Sequence, residues 1–381
     1  MNIVVLGGDG FCGWPTALKL SKSGHKVTII DNLCRRSIDV ELSSNSLTNI
    51  ASIADRLSAA RLHGMDIDFY NIDIAKEYYR FVVLLENIRP DAVVHFAEQR
   101  AAPYSMISEK ERRYTVDNNI PCTHNVLNAI VEVDTNIHLV HLGTMGVYGY
   151  SAAFGKIPEG YLDITINQTN EKVDILYPTN PGSVYHMTKS LDQILFQFYN
   201  KNWGLKITDL HQGIVWGTQT DETVLDDKLV NRFDYDGIYG TVLNRFISQA
   251  AAGIPITVYG TGEQTRAFIH IKDTVQCVKL SIENPPEDTS RVRIFNQVAE
   301  TKRLIDLANM LAEKYNSQIE HVKNPRKEAA SNDLEVANNG LRGLGLSPIT
   351  LDEALVEDVM FIAKQLSANL RPEQILNSPE W

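Results

Sequence analysis

Tyr185 and Lys189 stand four residues apart in the run Tyr185-His186-Met187-Thr188-Lys189. On a helix that spacing is about one turn, so both side chains lie on one face. An ammonium beside a phenol favours the phenolate and draws its pKa toward the working pH, which turns the tyrosine into an acid/base. Alone, Tyr-x-x-x-Lys is more often a surface pair. Its meaning changes because the chain opens with Gly7-Gly8-Asp9-Gly10-Phe11-Cys12-Gly13. Glycines at Gly7, Gly10 and Gly13 permit the sharp strand-to-helix turn and close approach to a pyrophosphate that a dinucleotide site needs. Together the two motifs describe an enzyme that makes or breaks a carbonyl with a nicotinamide cofactor.

The elements that must hold these residues follow from the apolar pattern. Ile3–Leu6 reads as a buried parallel strand, the loop follows at once, and a helix runs to Gly24. Lys26–Ile30 is the second strand. Asp31 at its end, with Asn32 beside it, suits the adenosine ribose hydroxyls of NAD. Arg35 and Arg36 are placed to hold the extra phosphate of NADP, but the Asp31 charge repels that phosphate, so the cofactor reads as NAD. Ile67–Tyr70 ends near Asp73 and Ile74, with Asp73 placed to meet the adenine amino group. Strands at 92–96, 137–142 and 206–210 alternate with helices at 74–88, 119–133 and 185–200. The expected fold is α/β: a doubly wound parallel Rossmann sheet with a smaller C-terminal α/β substrate-binding lobe. Residues 1–213 form the cofactor domain and 214–381 the sugar-nucleotide lobe, with segments near 241–280 packing back. Residues 32–66 and 150–180 exceed usual loop lengths and read as covers over the ligands.

Composition excludes several classes. The chain has 381 residues, 44% of them hydrophobic, enough for a large core. A net charge of −11 argues against nucleic acid or acidic membrane as a partner. No apolar run is of membrane-spanning length, and the first strand starts at residue 2, so the chain reads as cytoplasmic without membrane insertion. Cys12, Cys34, Cys122 and Cys277 show no C-x-x-C and no clustering with histidines, so no metal site is expected.

Several runs carry a specific resemblance. They are Val94-His95-Phe96-Ala97-Glu98-Gln99-Arg100-Ala101-Ala102-Pro103-Tyr104-Ser105-Met106, Leu142-Gly143-Thr144-Met145-Gly146-Val147-Tyr148-Gly149, Tyr259-Gly260-Thr261-Gly262-Glu263-Gln264-Thr265-Arg266 and Asn324-Pro325-Arg326. With the glycine loop and the Tyr/Lys pair, the chain resembles an extended short-chain dehydrogenase/reductase of the nucleotide-sugar epimerase/dehydratase type. The Glu-Gln-Arg-x-Ala-Pro-Tyr-Ser run and the Thr-Met-Gly segment point to the branch whose members join sulfite to UDP-glucose. That branch usually has Glu after Thr-Met-Gly; this chain has Val147.

The resemblance implies that Tyr185 deprotonates the sugar 4-hydroxyl, that Thr144 bonds the same oxygen, and that Gln99 and Asn119 lie toward the nicotinamide ribose. Oxidation at C4 acidifies the C5 proton, the 6-hydroxyl is eliminated, sulfite adds at C6 and C4 is reduced again, so NAD stays bound. Dehydratase relatives carry an Asp-Glu pair after the threonine; Met145 and Gly146 stand there and cannot move protons. His186 is the candidate for that work, since imidazole titrates near neutrality. Arg100 is the candidate for the sulfite charge, and Met145 for the apolar face of the nicotinamide pocket. Gln212, Gln264, Thr265, Arg266 and Arg326 are candidates for the UDP-sugar, with Asn244 and Arg245 as further ones on a helix surface. A homodimer or higher homo-oligomer is expected. The rival readings are a 4-epimerase or 4,6-dehydratase and, more remotely, an NAD-sensing scaffold, which retention of Tyr185 and Lys189 disfavours.

Overall fold

The computed structural model describes residues 1–149, 155–351 and 353–381. Among them, seven strands form one sheet in the order β12-β8-β5-β4-β1-β2-β3, all parallel. These are β1 (Asn2–Leu6), β2 (Lys26–Ile30), β3 (Ile67–Tyr70), β4 (Ala92–His95), β5 (His138–Thr144), β8 (Ile207–Gln212) and β12 (Arg293–Gln297). The inner strands β1 and β4 are buried on both faces and read as apolar runs, whereas the edge strand β3 exposes Asp68 and Tyr70. Between them lie β6 (Tyr161–Ile166) and β7 (Glu171–Leu176), an antiparallel hairpin within the long segment at 150–180. Residues 150–154 of that segment lie outside the described residues.

Helices α1 (Gly13–Lys22), α2 (Cys34–Leu42), α3 (Ile53–Leu62), α4 (Tyr78–Ile88), α5 (Glu109–Val133) and α6 (Val184–Trp203) cover the sheet. Two starts differ from the sequence reading. Residues 74–77 form a tight turn instead of the first turn of α4, with the Glu77 carboxylate accepting the Asp73 N–H at 2.8 Å. Helix α5 starts ten residues before Asn119, because Ser108 caps it by accepting the Lys110 N–H at 3.2 Å and Glu111 closes back on Ser108. It then runs straight through Pro121.

The second lobe is built on β9 (Ile214–Trp216), β11 (Thr265–His270) and β13 (Glu300–Arg303), with the parallel pair β10 (Ile256–Tyr259) and β14 (Ile319–Val322). Helices α7 (Val242–Ala251) and α9 (Leu304–Tyr315) pack there around Phe233, Phe246 and Phe268. Helix α7 buries Leu243, Phe246 and Ile247 in this cluster, which also takes in Leu47. Helix α8 (Ile271–Glu283) buries Ile271, Cys277, Val278 and Ile282 in the central core, and β12 extends the main sheet at β8. Within the described residues no helix is long and apolar enough to cross a membrane.

Candidate active site

The carboxyl ends of β1, β2, β3, β4, β5 and β8 open into one cleft between the lobes, bordered by Gly7, Asp31, Asp73, Glu98, Thr144 and Gln212. This is where a parallel sheet presents ligands to loop residues.

At the glycine loop, a Cβ on Gly13 would stand 2.1 Å from the Gly7 carbonyl oxygen, so the turn closes only with glycine. Helix α1 begins there with no side-chain cap and no acidic residue in its first turn, and its positive end borders the cleft at Gly13. Phe11 and Cys12 border the same end of the cleft, and burial pushes the Cys12 thiol up to about 11. Asp31 accepts the Asp9 N–H at 2.9 Å and the Leu33 N–H at 2.7 Å. Burial raises its carboxyl to about 6, against those two bonds. A half-buried acceptor at the end of β2 fits the ribose hydroxyls of a dinucleotide.

Asn32, Asp73 and Ile74 border the cleft beside Asp31. Arg36 does not border the cleft: it forms a forked pair with Asp9, at 2.6 and 2.9 Å, and bonds the Ala51 carbonyl. Arg56, fully buried against the Trp14 ring, holds the other side of Asp9 at 2.6 Å. Arg36, on α2, thus ties that helix to the glycine loop at Asp9 and to the chain before α3 at Ala51. Residues 32–66 form these two fixed helices. Arg35 lies over the Tyr239 ring at 3.6 Å and pairs with Asp39 and Asp234.

Arg100 pairs with Asp234 at 2.5 Å and lies 5.4 Å from the Phe11 ring centre and 5.3 Å from that of Tyr239. Its neighbours are thus the glycine loop and an arginine–aspartate cluster. Three guanidinium groups (Arg35, Arg100, Arg232) meet two carboxylates (Asp39, Asp234). Burial opposes the Asp234 charge, but these arginines hold its carboxyl down at about 2.

Gln99 and Asn119 are buried and bonded to each other: Gln99 N–H donates to Asn119 Oδ1 at 2.8 Å, and Asn119 Nδ2 donates to the Gln99 carbonyl and Thr188 Oγ1. Asn119 stands behind the cleft wall, tying the loop after β4 to α6, while Gln99 borders the cleft.

Tyr185 and Lys189 ride on the first turns of α6. Ser183 caps the helix by accepting the His186 N–H at 3.2 Å, and Ser105 Oγ accepts the Tyr185 N–H at 3.1 Å. Lys189 Nζ contacts Glu98 Oε1 at 2.9 Å, the Leu142 carbonyl at 2.8 Å and His141 Nε2 at 3.0 Å. Thr144, at the end of β5, accepts the Gly146 N–H at 3.1 Å and borders the cleft with Met145, Tyr185 and His186. The His186 ring occupies the space over Gly146, where a Cβ would come within 2.4 Å of Nε2. Burial, then Arg326 and Arg266, hold the His186 imidazole down at about 3. It is neutral near pH 7 and does not titrate there as the bare side chain would. Val147 is buried in an apolar cluster with Met145, Tyr148 and Ile157, a seat that favours valine over a carboxylate.

From the second lobe, Arg245, Gln264, Arg266 and Arg326 border the cleft, with Gln212 from β8. Gln264 Oε1 and Arg326 Nε are buried and have no hydrogen-bond partner among the described residues, as ligand-facing groups would be. Arg266 pairs with Glu328, and Arg245 lies 4.7 Å from the Tyr259 ring centre. Asn244 and Thr265 are buried but do not border the cleft. Sequence reasoning did not single out Glu98, His141, Asp209, Arg232 or Tyr239. The signal for two of them was a charged or titratable residue inside a buried strand.

Comparison with known proteins agrees with this geometry. Residues 3–296 match the NAD dependent epimerase/dehydratase family. The chain is 44% identical to the chloroplastic UDP-sulfoquinovose synthase of Spinacia oleracea, over all of this chain and 79% of that protein. It is 42% identical to UDP-sulfoquinovose synthase of Sulfolobus acidocaldarius, over 96% of this chain and 92% of that one. The fold matches a Thermotoga maritima UDP-glucose 4-epimerase structure with UDP-glucose at a TM-score of 0.70 and 20% identity, covering 97% of this chain and 100% of that one. The chain belongs to the NAD dependent epimerase/dehydratase family, on the branch of the UDP-sulfoquinovose synthases.

Proposed function

We propose that this enzyme joins sulfite to UDP-glucose, giving UDP-sulfoquinovose and water. The observation that carries the reading is the seat of His186 against Gly146, in the position where dehydratases place a carboxylate, beside an intact Thr144/Tyr185/Lys189 set.

Asp31, the α1 N-terminus and the cleft wall at Asp73 and Ile74 would hold NAD, which would supply the acceptor for the C4 hydride and its return at the end of the cycle. Tyr185 takes the 4-hydroxyl proton, Thr144 Oγ orients that oxygen, and Lys189 favours the phenolate. With C4 a ketone, His186 as a neutral imidazole accepts the C5 proton. The C5–C6 double bond forms as the C6–O bond breaks, and the leaving hydroxyl takes the proton of hydrogensulfite, which becomes sulfite, to leave as water. Sulfur of sulfite then attacks C6 with its lone pair, C5 regains a proton from His186, and Tyr185 returns its proton to the 4-oxygen. Arg326 and Arg266, beside Gln264, neutralise the UDP diphosphate. That neutralisation in turn lifts the His186 pKa when substrate binds, because these arginines are part of what depresses it.

We further propose a homodimer through α6, whose exposed Met187, Leu191, Ile194 and Phe198 recur at helical spacing on one face. A cytoplasmic location fits the absence of a spanning helix among the described residues.

The test is product mass after incubating the purified protein with UDP-glucose and sulfite. A sulfonated sugar nucleotide supports the reading. UDP-galactose or a 4-keto-6-deoxy product with no sulfite dependence would instead establish the epimerase or dehydratase.

A further inference from the structure

We propose that Glu98 is a positioning residue for the acid/base pair: it fixes the Lys189 ammonium against the sheet and sets how much of its charge reaches Tyr185. This rests on the reading of Tyr185 and Lys189 given above.

The geometry is closed on all sides. Lys189 Nζ donates to Glu98 Oε1 at 2.9 Å and the Leu142 carbonyl at 2.8 Å, and lies 3.0 Å from His141 Nε2. The two charged side chains are 4% and 2% exposed. The same Oε1 receives the Thr123 hydroxyl at 3.2 Å and lies 3.1 Å from His141 Nε2. His141 Nδ1 is 2.8 Å from Asp209 Oδ1, and the other Asp209 oxygen is 2.9 Å from His211 Nε2. These groups meet because the strands are in register: His95 pairs with His141, and His141 with Asp209, across three adjacent parallel strands.

The groups facing Lys189 are Tyr185 and Asp192 on its own helix, His95 and Glu98 from β4 and the loop after it, His141 from β5, Asp209 from β8 and Cys122 from α5. Burial opposes the Lys189 charge, and Glu98 foremost outweighs it, so the ammonium is held above its ordinary range. Burial likewise opposes the Glu98 charge, and Lys189 and His141 hold that carboxyl well below its ordinary range. Burial and then Glu98 push the Asp192 carboxyl far up. Glu98, His141 and Asp192 offer ligand atoms within 4.8 Å of one another, as a metal site would. The Lys189 ammonium already occupies the cation's place on Glu98.

A buried ammonium without an anion would lose its proton near neutrality, and one with an anion too close would leave the phenol unassisted. Glu98 sets the balance between the two. Removing its charge therefore has a sign. In Glu98→Gln the ammonium loses its anion, so the Lys189 pKa falls. The ammonium's field, no longer offset by Glu98, acts more fully on Tyr185, so the Tyr185 pKa falls as well.

Two measurements on the full-length, NAD-loaded protein test this. The first is the pH profile of bound NADH formation from UDP-glucose, and both limbs should move toward acid in Glu98→Gln by about one pH unit. A part that merely supports the fold would lower the amplitude and leave the limbs in place. The second needs no substrate: NMR titration of the Lys189 ammonium, assigned through Lys189→Met, should show a pKa about one unit or more below wild type in Glu98→Gln. Glu98→Asp keeps the charge one methylene farther away and should give a smaller shift in the same direction. If the glutamine variant does not fold, that smaller shift decides. Unmoved limbs, or a Lys189 titration equal to wild type, overturn the proposal. Failure of the wild type to form NADH from UDP-glucose would count against the functional reading alone, and the lysine titration would still judge Glu98.

Discussion

The imidazole of His186 rests on Gly146, so closely that one added methyl at that glycine would come within 2.2 Å of its Cδ2. The Thr144-Met145-Gly146 turn is thereby matched to the first turn of α6. The glycine that cannot move a proton makes room for the histidine that can.

Gly146→Ala should therefore displace the ring without touching Tyr185, Lys189 or Thr144. Overall turnover should fall about a hundredfold, the order expected when a reacting group shifts by about an ångström. Oxidation at C4 should survive, so that NADH builds up on the enzyme once UDP-glucose is added. His186→Ala should show the same build-up. Stopped-flow absorbance of the bound nicotinamide, set beside the rate of product release, separates the two halves of the reaction. Equal loss in both halves would remove His186 from the C5 and C6 steps.

Tyr185→Phe keeps the ring, which is 9% exposed, and deletes only the hydroxyl. Turnover should fall by about a thousandfold or more, while calorimetric affinity for UDP-glucose changes by less than about threefold. No NADH should form, in contrast with the His186 and Gly146 variants. Normal NADH formation would mean that another group deprotonates the 4-hydroxyl.

Asp31 makes NAD affinity pH-dependent. Burial raises its carboxyl to about 6 in the ligand-free protein. A folded pKa above the unfolded one means that this group contributes most stability at low pH and loses it as pH rises through about 6. Ribose hydroxyls donate to the ionised form, so NAD binding expels the proton. NAD affinity should then rise as pH rises through about 6, by up to about tenfold per unit below that point, and level off above it. Calorimetry on NAD-stripped protein measures this, and Asp31→Asn should give a weaker, flat profile. A wild-type affinity independent of pH across that range would show that Asp31 does not face the ribose.

The sheet was legible because its strands are short apolar runs ending in chemistry-bearing residues: Leu6 before Gly7, Ile30 before Asp31, and β3 at its full extent. What escaped lay in side-chain partnerships between distant positions. Arg36 follows Asp31 in sequence as an NADP-binding arginine would, yet its guanidinium turns back to Asp9, and only the folded α2 shows this. Helix α5 was begun too late because Asn119 and Pro121 look like a helix start; the Ser108/Glu111 cap was the better sign. His141 and Asp209 were visible as polar residues inside apolar strands, but their pairing depends on a strand register that no local pattern carries.

Arg100 offers the sharpest test of how far motif reasoning reaches. As a lone arginine beside a Glu-Gln pair it invites assignment to sulfite, and the folded chain turns its guanidinium toward Phe11 and Tyr239, paired with Asp234. The cluster there has one more guanidinium than carboxylate, next to an uncapped helix N-terminus. Such a surplus charge suits the pyrophosphate of the dinucleotide. Arg100→Ala should therefore lower NAD retention about tenfold or more through gel filtration, whereas the sulfite KM, measured with saturating NAD, should change by less than about threefold. Stability should drop only modestly, because Asp234 keeps Arg35 and Arg232 as partners. A raised sulfite KM with undiminished NAD retention would return Arg100 to the sulfite site and leave the pyrophosphate to α1 and Arg35.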